Sequence, residues 1–87
     1  MTLTKEQILY RCIDEILWNE WDPIGINDYE EARDEYNSYL PHVWRLKLQN
    51  ADIVTIAQYL FKVETHNMAL SGNFDNCRKV AEKITCL

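Results

Sequence analysis

The chain is rich in residues able to do acid–base, nucleophilic or metal chemistry, but their spacing assembles few sites. Carboxylates stand in adjacent pairs at Glu30-Glu31 and Asp34-Glu35. Two carboxylates can serve as general acid and base on a glycosidic bond, but that work also needs a groove for sugar, and in so acidic a stretch pairs arise by crowding alone. His42 and His66 fall in separate predicted helices, with no H-E-x-x-H and no cysteine at ligand spacing. Glu64 and His66 are two positions apart, which on a helix turns them about 200° from each other rather than onto one ion. Ser38 and Ser71 lie in no G-x-S-x-G turn, and two glycines are too few for a phosphate cradle or a dinucleotide fingerprint. Catalysis, a cofactor and a metal centre are therefore not expected. Cys12, Cys77 and Cys86, odd in number and without C-x-x-C spacing, read as free thiols, two of them in the core.

Glu64 is distinguished by its neighbours. Ile53, Ile56, Leu60, Phe61 and Met68 span about 140° of a helical projection, and Glu64 falls near the middle of that arc, away from Gln58, Lys62, Thr65 and His66. A carboxylate there must be paired, hydrogen-bonded or neutral, because an isolated buried charge is costly. The expected partners are Arg33 or Arg45, or the hydroxyls and amides of the Tyr36 to Tyr39 segment. With Asp22 capping a turn, these residues predict a structural polar lock made of Glu64, Tyr36, Tyr39 and Asp22. A catalytic acid in a pocket is the competing reading of Glu64.

The elements that must position these groups are helical throughout. Thr4 and Gln7 have the spacing of a capping box, and Ile8, Leu9, Cys12, Ile13, Ile16 and Leu17 recur at intervals of three and four, predicting a helix over 5–20. Trp18 lies off that face, beside Gln7, Arg11 and Asp14, so its indole is either covered by the next loop or offered to a partner. Trp21-Asp-Pro-Ile-Gly25 ends the helix. A short helix is expected near 28–36, along Tyr29, Ala32 and Tyr36, and another over 39–49 with Ser38 as its cap and Pro41 in its first turn. Asp52 caps a helix over 53–70, Ser71-Gly72-Asn73 stops it, and a last helix over 74–85 turns Phe74, Cys77, Val80, Ala81 and Ile84 inward. The predicted fold is one all-α domain over 1–87, a small four-helix bundle-like unit, mostly antiparallel, with an irregular W-D-P loop and a short extra helix. Its core should contain Ile13, Ile16, Leu60, Phe61, Val80 and Ile84.

Charge excludes some function classes. The 87 residues carry a net −5, but residues 14 to 35 hold nine acids and one base, a net −8, while the rest hold five acids and eight bases, a net +3. Such a zone repels phosphate backbones and attracts basic surfaces, which argues against nucleic acid; the alternative is a solvated face that aids solubility. No run approaches the roughly 18 apolar residues of a membrane span, and the N-terminal residues lack a secretion signal, so a cytoplasmic protein with no membrane association is expected.

Three segments, WDPIG at 21–25, DEYNSYLP at 34–41 and Glu64 with Met68 in an ExxxM spacing, carry a family resemblance. In this order they resemble a group of small bacterial all-helical proteins of unknown function and, more distantly, the YugE-type small proteins. The resemblance covers about residues 8 to 84 and implies a bacterial cytoplasmic helical protein, with no substrate, cofactor or catalytic residue. One departure is Ala69, where the pattern has a glycine directly after the methionine, implying a longer third helix here.

Together these features predict a small acidic protein-binding module, in its most concrete form an immunity-type inhibitor of a basic toxin or enzyme. Trp18, Glu30, Glu31, Asp34 and Glu35 are the candidate partner-binding residues, because acidity speeds encounter and aromatics anchor. The partner would present a basic surface, and the protein itself would be a monomer or weak homodimer. The rival readings are a small enzyme using carboxylates near the Trp21 to Gly25 loop, and a structural or regulatory subunit.

Overall fold

Four α-helices and two π turns carry most of residues 2–87, the part of the chain described by a computed structural model. Helix α1, Lys5–Ile16, starts at the capping box: the Gln7 amide donates to Thr4 Oγ1 at 3.1 Å, and the Thr4 amide donates to Gln7 Oε1 at 2.9 Å. It runs on into a π turn, Leu17–Trp21, closed by the Asp22 amide on the Leu17 carbonyl at 3.0 Å. Each i→i+5 bond puts an extra residue into the turn, which rotates Trp21 back toward the face carrying Ile13 and Leu17. Asp22, at φ 31, then ends the helix in the left-handed region.

The short helix expected near 28–36 is reduced to three residues of 3-10 helix. A single 3-10 turn, Glu30–Ala32, is followed by successive i→i+3 bonds, from the Arg33 amide to the Glu30 carbonyl through to the Leu40 amide on the Asn37 carbonyl. An α-helix there would set Glu30 above Asp34 and Glu31 above Glu35, like charges at the i,i+4 spacing that destabilises helices. Helix α2 spans Leu40–Leu48, with Tyr39 rather than Ser38 at its cap position and Pro41 in its first turn.

Helix α3, Ile53–Lys62, is capped by Asp52, whose Oδ1 accepts from the Thr55 amide at 2.8 Å. It continues as a second π turn, Val63–Asn67, so the helix expected to reach residue 70 stops short of it. The Leu70 amide donates back to the Glu64 carbonyl at 2.8 Å, and Ala69 takes the left-handed backbone, φ 55, that glycine adopts at less cost. Helix α4, Phe74–Thr85, is capped by Asn73, whose Oδ1 accepts from the Asn76 amide at 3.1 Å.

The short link after the second π turn returns α4 along α3, while α1 lies on α2 and the first π turn leans on α4. Ile13, Val43, Ile56, Leu60, Val80 and Ile84 are fully buried between them, with Leu17, Trp21 and Tyr36 beside them. Ile16 and Phe61, expected in this core, are half-buried at its edge, and Phe74 is exposed. Of the three thiols Cys77 alone is in the core; Cys12 is half-buried and Cys86 exposed, against the two buried thiols expected. Among the described residues there is no strand, and no helix is long and apolar enough to cross a membrane.

Candidate functional site

Glu64, in the second π turn, is 3% exposed and surrounded by donors. Its Oε2 accepts from the Trp21 indole N–H at 2.7 Å and from the Cys77 thiol at 3.1 Å, and its Oε1 accepts from the Asn73 amide at 2.8 Å. The arginines and tyrosines named from the sequence are not its partners. Arg33 is taken by Asp14, Tyr36 by Asp22, and Trp21 instead reaches the carboxylate because the π turn aims it inward. Burial first, then the hydrogen bond to Glu64 and the charge on it, push the Cys77 thiol up to about 12, so it stays protonated and inert as a nucleophile at neutral pH.

Tyr36 forms a second polar contact next to this one. Its hydroxyl donates to Asp22 Oδ1 at 2.7 Å and accepts from the Ile24 amide at 3.2 Å, while Asp22 Oδ1 also accepts from the Ile26 amide at 2.9 Å. The Tyr36 ring packs against Trp21 at 5.3 Å between centroids, and Tyr39 meets Trp21 edge-on at 6.1 Å. The W-D-P loop and the D-E-Y segment are thus bonded to each other, and Trp21 links both to Glu64. The residues Glu64, Tyr36, Tyr39 and Asp22 do lie in one connected group, but its hub is Trp21, which sequence periodicity did not mark.

Trp18 is buried at 6% exposure, covered by the loop that follows it. The Arg33 guanidinium lies 5.2 Å above its ring and holds Asp14 with two bonds, Nη1 to Oδ1 at 3.0 Å and Nη2 to Oδ2 at 3.1 Å. Trp18 is therefore withdrawn from the candidate partner-binding residues: an indole already packed has no face left to anchor a partner. The other four, Glu30, Glu31, Asp34 and Glu35, are all exposed on the 3-10 turn and the turns after it. None of them takes part in the ion pairs found among the described residues, which are Arg33–Asp14, Arg78–Glu82 and Lys83–Glu20. Tyr29, placed by the sequence stripe on a buried face, is 60% exposed beside them. Its position next to the acid run was the signal that could have marked it as a surface aromatic.

A concavity of about 220 Å³ opens beside Glu64, lined also by Pro23, Leu70, Gly72, Asn73 and Asn76. Its polar groups are engaged inside the protein: both Glu64 oxygens accept bonds, and the Asn76 side-chain amide donates to the Trp21 carbonyl at 3.3 Å. Among the described residues, every buried side-chain nitrogen and oxygen has a partner. With three donors on it, the Glu64 carboxylate ties together the first π turn, the start of α4 and the residue before it. His42 stacks on Tyr59 with ring centroids 4.1 Å apart, and His66 is exposed, so the two histidines share no site. Compared with protein-family profiles, with curated proteins and with solved structures, the chain matches none of them.

Proposed function

We propose that this protein is an acidic protein-binding module that docks on a basic surface through Tyr29, Glu30, Glu31, Asp34 and Glu35. The observation that carries the reading is the combination of open carboxylates with a tethered backbone. Glu30, Glu31, Asp34 and Glu35 face water with no ion-pair partner among the described residues, while the loop bearing them is held by Arg33 on Asp14 and by Tyr36 on Asp22. A charged surface held in place before encounter loses less entropy on binding, and concentrated negative potential steers a basic partner toward it. An immunity-type inhibitor, covering the basic active site of a toxin in the cytoplasm of a bacterium, is the most concrete form of this role.

The test uses affinity capture from the native host at moderate salt, followed by stopped-flow binding of the captured partner. Replacing Glu31, Asp34 and Glu35 together by lysine should slow association by about tenfold or more with little change in dissociation, and salt added to the wild type should reproduce the slowing. An unaltered association rate would leave the segment as a solubilising face.

A further inference from the structure

Helix α1 meets α2 at an aromatic contact separate from the group around Trp21. Gln7, Tyr10 and Arg11 recur at helical spacing and so share one face of α1. Trp44 of α2 lies against that face, its indole N–H donating to the Glu6 carbonyl at 3.0 Å, and the Tyr10 ring meets it edge-on, with centroids 5.2 Å apart and planes at 85°. These side chains and Leu3 wall a concavity of about 340 Å³. Arg11 is its one charged residue; it is exposed and takes no part in the ion pairs found among the described residues. The acids one turn further along α1 are engaged elsewhere: Asp14 holds Arg33, and Glu15 lines a different groove, beside Cys12. Gln7 Oε1 already accepts from the Thr4 amide at 2.9 Å, which leaves the Gln7 NH₂ group to donate.

We propose that this corner binds a small aromatic monocarboxylate, its ring against Tyr10 and Trp44 and its carboxylate on the Arg11 guanidinium. Two rings set at right angles offer a flat ring one face to stack on and one edge to meet, the two arrangements that aromatic pairs prefer. A guanidinium presents a planar fork of donors matched to the two oxygens of a carboxylate, and Gln7 supplies a further donor beside it. A single cation in a chain of net −5 suits a monoanion rather than a polyphosphate. The volume stands at the lower end of the roughly 300 to 1,000 Å³ of small-molecule sites, enough for one ring system with a short acid arm. Leu3, Gln7 and Arg11 are exposed, so the site is open and binding should be modest, with a Kd of about 0.1 to 1 mM. Glu30, Glu31, Asp34 and Glu35 do not line it, so this site and the acidic docking loop can each fail without the other.

The probe is indoleacetate, titrated into the isotopically labelled full chain and followed by NMR. The Trp44 indole N–H and the Tyr10 and Arg11 amides should shift saturably with a Kd in that range. No saturable shift up to about 10 mM, or shifts centred on other residues, would overturn the proposal. Indoleacetamide, which keeps the ring and loses the charge, should bind about tenfold more weakly, and so should hexanoate, which keeps the charge and lacks the ring. Parity of either with indoleacetate also overturns it. Arg11→Gln, at an exposed position, should weaken indoleacetate about tenfold while leaving indoleacetamide binding and circular dichroism unchanged. An unweakened acid, or an equal loss for both probes, removes the guanidinium from the site and refutes the assignment. The triple lysine variant at Glu31, Asp34 and Glu35 should keep the shifts at Trp44, and their loss there would count against this site whatever the fate of the docking loop.

Discussion

Three donors, an indole, an amide and a thiol, gave up water to face the Glu64 carboxylate, and each depends on its oxygens. Glu64→Gln keeps the shape but turns one acceptor into an NH₂ group, which then confronts either the Trp21 indole N–H or the Asn73 amide. The expected loss is about 2 to 3 kcal/mol, or roughly 10 °C or more in Tm for a domain of this size, read by thermal unfolding. An unchanged Tm would dismiss Glu64 as a structural tie. Tyr36 adds a pH dependence of definite sign. Burial and then its hydrogen bond to Asp22 raise its pKa above the usual 10.0, so the folded state favours the neutral phenol. Its contribution is full below pH 10 and is lost as the pH rises above that value, when the unfolded chain ionises first. The stability difference between the wild type and Tyr36→Phe, measured by urea unfolding, should therefore shrink from pH 9 to pH 11. That Glu64 would sit in an apolar arc was legible in the spacing of Ile53, Ile56, Leu60 and Phe61. Its partners were not, because one is a backbone amide with no side-chain signature and another is turned inward by a π turn that a 3.6-residue period does not anticipate.

The turn that joins α3 to α4 depends on Gly72 in two ways. Its φ of +83 lies in the left-handed region, and a Cβ there would come 2.6 Å from Phe61 Cε2 and 2.8 Å from Thr65 Cγ2. Gly25 has a similar φ, +73, but open space around it. Gly25→Ala should cost about 1 kcal/mol for the backbone alone, and Gly72→Ala about 1 to 2 kcal/mol more, since the Phe61 ring must also shift off its edge-on packing against Phe74. Urea unfolding of the two variants checks this; equal costs would mean that Phe61 yields freely. The helix starts were readable because Thr4, Asp52 and Asn73 bond to the first turns they precede. The segment after Tyr29 misled because its weak apolar stripe ignores the repulsion among Glu30, Glu31, Asp34 and Glu35. Arg33 and Tyr36, which helix geometry would have kept local, instead reach back to Asp14 and Asp22.

At the scale of the whole molecule the shape is a slab, 41 by 31 by 18 Å, and its short dimension is less than two helix diameters. So thin a body has little interior, which is why helical periodicity identified the all-α class and the centres of the stripes but overfilled the core. Ile16, Phe61 and Phe74 lie on inward faces by spacing, yet no further layer exists to cover them. The bond between Trp21 and Glu64 joins residues 43 positions apart across that slab, one from each π turn, and both are almost fully buried. Water reaches the Trp21 indole hydrogen only if the two turns part, and their parting undoes the centre of the fold. That hydrogen should therefore exchange with deuterium on the timescale of global unfolding, roughly 10⁴-fold or more slower than that of Trp44, whose indole donates to the Glu6 carbonyl at the exposed edge of α1. Comparable rates for the two would place the opening of the turns well below global unfolding; a wide separation makes a single NMR signal, the Trp21 side-chain N–H, a running measure of how often the entire protein comes apart.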